Sequence, residues 1–190
     1  MTKKELRKLY LEKRQDLSEG ECASLNLKLY SSFFSSIDLS FIKVLNTYLP
    51  IEHHHEPDTW MIVDRVRREF PHVRISIPRV GPSDSLENIY YEGSHQLEKS
   101  KWGIPEPRQG VPTPDEKIDL VIVPLLALDK QGHRVGYGRG FYDRMLQRTR
   151  PDCQKIGLSF FSAVDKINDV DEHDVRLNQC ITPEGPILFR

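Results

Sequence analysis

The run IDLVIVPLLAL, residues 118–128, limits more than any other feature what this chain can fold into. Its apolar side chains fall at odd and even positions alike, so a strand built from it has no polar face to offer water. Such a strand belongs inside a parallel sheet covered on both sides. The surrounding segments agree. FIKVLNTYLP, ending at Pro50, VRISIP and QKIGLSF read as strands, and ENIYYE as another, with turn chemistry in RVGPSDS. Helical patterns lie between them. The opening MTKKELRKLYLEKRQDL brings Leu6, Leu9, Tyr10, Lys13 and Leu17 near one stripe, with Lys3 and Arg7 four apart on another face. Ser18 and Glu21 have capping-box spacing ahead of a second helix carrying Leu25, Leu29 and Phe33. DTWMIVDRVRREF reads as a helix capped by Asp58 or Thr59, and FYDRMLQRT as a further one. The tail HDVRLNQCITPEGPILF holds two short β-like runs around PEG. Strands alternating with helices predict an α/β fold with a parallel or mostly parallel sheet. At 190 residues the chain suffices for one sizeable core, so residues 1–190 are expected to form a single domain.

Charge and composition narrow the partners. The formal net charge is -1 and no basic–aromatic stripe is visible, which argues against nucleic acid. No stretch approaches the roughly 18 apolar residues of a membrane span, and the charged opening does not resemble a signal peptide. The expectation is a soluble cytoplasmic protein, monomeric, acting on small molecules. Cys22, Cys153 and Cys180 are scattered without a C-x-x-C pair, which suggests neither a disulfide framework nor a zinc knuckle.

The chemistry concentrates in GHRVGYGRGFYDRML, residues 132–146. Gly136, Gly138 and Gly140 have G-x-G-x-G spacing, which is neither the dinucleotide fingerprint nor a P-loop. The physics is shared with both: glycines let backbone N–H groups turn toward an anion, and the N-terminus of the following helix adds positive potential. Arg134 and Arg139 flank the loop with forked donors suited to phosphate oxygens. Asp143, in the first turn, is favoured there by the helix dipole and is also a candidate metal ligand. The other candidates stay open on the residues alone. Lys3 and Arg7 are either a phosphate-binding face or a solvated one, and Trp102 either stacks on a flat ligand or fills a core gap. Asp174 in EHDVRLN is either a second carboxylate of a Mg²⁺ site or a turn residue. His53 and His55 in EHHHEPDT would share one face of a strand, but without a third ligand at fixed spacing a solvated loop is preferred. KWGIPEPRQGVPTPDEKID, with four prolines and no helical period, reads as a long loop.

GHRVGYGRGFYD resembles the G-x-R-[hydrophobic]-G-x-G-[KR]-G-[YF]-Y-D signature of the 5-formyltetrahydrofolate cyclo-ligases, also called 5,10-methenyltetrahydrofolate synthetases. KKELR, YLP with E-P-D-T around Glu56, KWGIPEP and HDVRLN match further family segments in order, so the likeness spans almost the whole chain. The resemblance implies a three-layer α/β/α domain similar to ribose-phosphate isomerases and CoA transferases. It also implies an ATP- and Mg²⁺-dependent conversion of 5-formyltetrahydrofolate to 5,10-methenyltetrahydrofolate. On that resemblance Lys3, Arg7, Arg134, Val135, Gly136, Tyr137, Gly138, Arg139, Gly140, Phe141 and Tyr142 would bind ATP. Glu56, Trp102, Tyr137, Gly138 and Tyr142 would bind the folate, Arg139 and Tyr142 would serve the reaction, and Asp143 and Asp174 would hold Mg²⁺. Two alternatives keep the cradle but change its use: a sugar-phosphate isomerase or acyl-CoA transferase relative, and a non-catalytic folate or RNA binder.

Overall fold

A computed structural model of the chain describes residues 1–100 and 103–189. In chain order the helices and strands are α1 (Lys3–Gln15), α2 (Glu19–Ser36), β1 (Val44–Thr47), α3 (Trp60–Glu69), β2 (Arg74–Val80), β3 (Leu86–Tyr90), β4 (Leu97–Lys99) and β5 (Pro105–Pro107). They continue with β6 (Leu120–Val123), β7 (Ala127–Leu128), β8 (Arg134–Val135), α4 (Phe141–Leu146), β9 (Gln154–Leu158), β10 (Gln179–Thr182) and β11 (Gly185–Leu188). Among the described residues, seven strands form one sheet in the order β11-β10-β9-β6-β1-β2-β3. The inner pairs are parallel, and the two edge pairs, β10 with β11 and β2 with β3, are antiparallel. This is the mixed, mostly parallel α/β sheet that the buried apolar run predicts.

Period-two alternation decides which face each residue serves. Leu45, Leu120, Ile122 and Ile156 pack in one cluster with Leu29 and Phe33 of α2 and Ile62, Val63 and Val66 of α3. Their chain neighbours Val44, Val121 and Val123 pack on the other face with Met145 and Leu146 of α4. Register keeps like with like: Leu45 lies opposite Ile75 and Leu120, and Ile122 opposite Ile156. The helices α2 and α3 on one face and α4 on the other give the expected three layers. A third cluster seats Leu6 and Tyr10 of α1 on Ala127 and Val135, the ribbon that β7 forms with β8.

Local signals set the helix starts. Ser18 and Glu21 close a reciprocal capping box on α2, and Thr2 with Glu5 closes another on α1. Thr59 is the N-cap position of α3, but its hydroxyl bonds the Tyr48 carbonyl at 2.6 Å while Asp58 accepts from Trp60 N at 2.9 Å.

Several expectations change. The run at 118–128 is two strands, because Pro124 cannot donate to a ladder and ends β6. The proline-rich stretch is not all loop: Pro105–Pro107 pairs antiparallel with Leu97–Lys99. The helix after the glycine loop spans only Phe141–Leu146. His53 and His55 do not share a strand face, since Glu52–His54 is a 3-10 turn and His55 sits at φ 44°. On α1 it is Arg14, not Lys13, that continues the buried stripe.

Candidate active site

The glycine loop lies at the carboxyl ends of the parallel strands, beside a cleft of about 640 Å³. Tyr48 and Leu49 follow β1, Pro124 follows β6, and Pro78 to Val80 end β2; all line it. The chain leaves β1 toward β2 on one side, while β6 and β9 build the sheet on the other. The cleft therefore opens where the strand order reverses, the place at which open α/β sheets bind ligands.

The loop's shape depends on two glycines. Gly138 has φ 93° and Gly140, the residue before α4, has φ 65° and ψ 13°, conformations that strain a residue bearing a Cβ. A Cβ on Gly138 would also stand 3.1 Å from the Arg7 guanidinium carbon. Arg7 donates from Nε to the Gly136 carbonyl at 2.9 Å, which ties α1 to the loop. Arg134 is buried and spends its guanidinium on Asp143 Oδ1 at 2.8 Å and on the Val175 carbonyl, so it braces the loop against the start of α4. Arg139 is half exposed beside the cleft, with Asp84 Oδ2 at 3.9 Å. Phe141 packs into the α4 core.

Lys3 reaches Asp174 Oδ2 at 2.5 Å and Asp171 Oδ2 at 3.2 Å. Burial pulls its ammonium down, but the hydrogen bonds and charges of Asp174 and Asp171 outweigh that and hold it above the usual lysine value. Among the described residues no group of three or more His, Cys, Asp or Glu side chains is placed to hold a metal. The two predicted carboxylates do line the same cleft. The bonds of Asp143, from Arg134 and Val175 N, both fall on Oδ1, and those of Asp174, from Lys3 and Asp171 N, both fall on Oδ2. Mg²⁺ ordinarily takes one or two carboxylates and completes its shell with phosphate oxygens and water.

Away from the cations, the cleft is lined by Tyr48, Leu49, Leu86, Ile104 and Pro105, and by two carboxyl groups. Glu56 is buried; its Oε1 accepts from the Tyr137 hydroxyl at 2.6 Å and its Oε2 from Ile51 N at 2.7 Å. Burial raises its carboxyl above the usual range, against the lowering effect of those bonds and of Arg14. The same burial, reinforced by the Glu56 charge, pushes the Tyr137 and Tyr142 hydroxyls far up, so both stay protonated. Tyr142 sits between the two sheet cores.

The structure thus brings Lys3, Arg7, Glu56, Arg134 to Tyr142, Asp143 and Asp174 to one cleft. Trp102 lies outside the described residues. Sequence reasoning passed over Arg14, His54, Glu106 and Asp171. Arg14 carried a signal: it continues the 6–10 stripe by four residues, a charge on a buried face. His54 stacks on Tyr137 with ring centroids 5.3 Å and planes 29° apart. Glu106, on β5, lines the cleft half buried, and burial raises its carboxyl. Asp171 shares Lys3 with Asp174.

An α/β sheet with a glycine-rich loop at its switch point, next to a largely apolar compartment that holds one buried and one half-buried carboxyl, has the layout of an enzyme site for small molecules. Comparison with known proteins places it further. The profile of the 5-formyltetrahydrofolate cyclo-ligase family matches residues 1–183, and the chain belongs to that family. It is 31% identical over 131 residues to the 5-formyltetrahydrofolate cyclo-ligase of Escherichia coli K12, covering 67% of this chain and 72% of the relative. The NMR structure of the Aquifex aeolicus 5,10-methenyltetrahydrofolate synthetase superposes with a TM-score of 0.86 at 29% identity, over 100% of this chain and 94% of the other. The Mycoplasma pneumoniae synthetase gives 0.75 at 25% identity, over 95% and 98% of the two chains.

Proposed function

We propose that this chain, working as a single domain, closes 5-formyltetrahydrofolate to 5,10-methenyltetrahydrofolate, using ATP with Mg²⁺ and releasing ADP and phosphate. The observation that carries the reading is the pairing within one cleft of the cradle at Gly136–Gly140 with the buried Glu56 beside Tyr137. The cradle suits a triphosphate. Glu56 suits the N–H edge of an aminopyrimidine ring, whose donors a carboxylate can accept.

The formyl group is an amide, so its carbonyl is a weak electrophile and its oxygen a poor leaving group. Transfer of the γ-phosphoryl group to that oxygen forms one P–O bond, breaks another and frees ADP. The neighbouring folate nitrogen then attacks the formyl carbon, loses its proton, and phosphate leaves with the C–O electron pair. Chemistry of this kind asks for positioning and charge stabilisation rather than a protein nucleophile. Lys3, Arg7 and the loop backbone, with Val135 and Phe141 supporting it, would hold the phosphates. Arg134 would act by bracing that backbone. Arg139 and Tyr142 would stand beside the moving group, where a half-exposed guanidinium can swing onto developing phosphate charge. Glu56, Tyr137, Gly138 and Tyr142 would contact the folate, and so would Trp102. Asp143 and Asp174 would hold Mg²⁺, which supplies positive charge to the phosphate oxygens. Among the described residues no helix is long and apolar enough to cross a membrane; the reading is of a cytoplasmic monomer without nucleic-acid partners.

The test is absorbance in the methenyl-folate band on mixing purified protein with 5-formyltetrahydrofolate, Mg²⁺ and ATP, with an ATP-free control. ATP-dependent growth of the band is expected. A flat trace from protein that still binds ATP would move the cradle to another acceptor.

A further inference from the structure

Arg14 is the more deeply buried of the two arginines buried among the described residues, 2% exposed, and it lies on α1 far from the glycine loop in sequence. One guanidinium nitrogen donates to the Leu125 carbonyl, and the other reaches the Tyr137 hydroxyl at 3.4 Å. Its Nε is buried with no partner among the described residues. A guanidinium taken from water and left with an orphan donor is a poor device for stability, since apolar packing would serve the core as well or better. What it does is place a fixed positive charge behind Tyr137, whose hydroxyl donates in turn to Glu56 at 2.6 Å. The backbone of the same residue is also used: the Arg14 carbonyl meets His55 Nδ1 at 2.8 Å, tying α1 to the segment that carries Glu56.

We infer that Arg14 is a positioning residue for folate recognition: acting through the Tyr137 hydroxyl, it keeps Glu56 ionised and aimed into the cleft. The inference rests on the reading that Glu56 takes the N–H edge of the folate. Glu56 accepts from the Tyr137 hydroxyl, Tyr48 and Tyr142 lie within reach of its charge, and two cationic or titratable groups, Arg14 and His53, act on it in turn. The three tyrosines are neutral across the working range, so the permanent charge favouring the carboxylate is that of Arg14.

The experiment is the folate KM as a function of pH in the wild type, Arg14→Met, Arg14→Lys and Tyr137→Phe, with the ATP KM measured alongside. In the wild type the folate KM rises toward acid as Glu56 protonates. In Arg14→Met that rise is expected about one pH unit higher, with the ATP KM within about twofold of wild type; Arg14→Lys should fall between. Folate titrations are common to all the proteins and cancel in the comparison. Superimposable folate profiles for wild type and Arg14→Met, or equal rises in both KM values, would overturn the inference. Should Arg14→Met fail to fold, Arg14→Lys and Tyr137→Phe decide. If the relay holds, the lysine variant keeps the charge without the forked donors and moves the limb by less, and combining it with Tyr137→Phe adds less than the sum. Additive effects would overturn it. A wild type that shows no folate turnover at any pH indicts the proposed function instead.

Discussion

Glu56 is a carboxyl group held where ionisation is costly. Its neighbours offset only part of the desolvation, and its value stays above the ordinary 4.5. The sign of the linkage follows: below that pH both folded and unfolded chains bind the proton, and nothing is lost. As pH rises past 4.5 the unfolded chain releases its proton first, so the folded state is progressively destabilised until Glu56 itself ionises, after which the penalty is constant. Glu56→Gln should therefore melt higher than wild type near neutrality, with the gap closing toward pH 4, while folate binding is lost; melting curves across that range read it. Equal melting temperatures at neutral pH would mean that the site solvates Glu56. The proposed folate contact would account for a buried carboxyl kept at such a cost.

Helix α1 and the glycine loop are the elements on which the cleft depends, and each rests on short-range chemistry. Gly138 cannot gain a side chain without both adopting an unfavourable φ of 93° and pressing Arg7 off Gly136. Gly138→Ala should cost about 1 kcal/mol of stability or more and raise the ATP KM well above the folate KM, measured by denaturation and steady-state kinetics. Gly140→Ala meets only the far end of the Arg144 side chain at 3.0 Å, so its cost should be chiefly that of the left-handed backbone, about 1 kcal/mol. Much of this was readable. The G-x-G-x-G spacing announced the loop and the Ser18–Glu21 pair announced α2, because caps and turns are decided within a few residues. The Pro105–Pro107 strand was not readable. Three residues with two prolines carry no strand signal, and pairing with Leu97–Lys99 supplies what propensity does not.

Across the whole molecule the cleft is an assembly of segments brought together by the sheet. Lys3, from the first turn of α1, latches onto Asp174 and Asp171 in the loop after β9. On the proposal that Asp174 helps to hold Mg²⁺, that ammonium competes with the metal for the Asp174 carboxylate. Lys3→Met should therefore tighten Mg²⁺ binding in the absence of nucleotide by several-fold while raising the ATP KM, read by calorimetric titration and kinetics. Unchanged Mg²⁺ affinity would remove Asp174 from the metal site. By itself the sequence determined the α/β class, the central strand buried on both faces, the capped start of α2 and the glycine loop, because periodicity, capping and turn chemistry act over a few residues. Only the tertiary structure decided that Arg14 would stand behind Tyr137, 123 residues away, and that Tyr137 would donate to Glu56, 81 residues away. Those meetings follow from the order in which strands join the sheet, and no local pattern in the chain encodes that order.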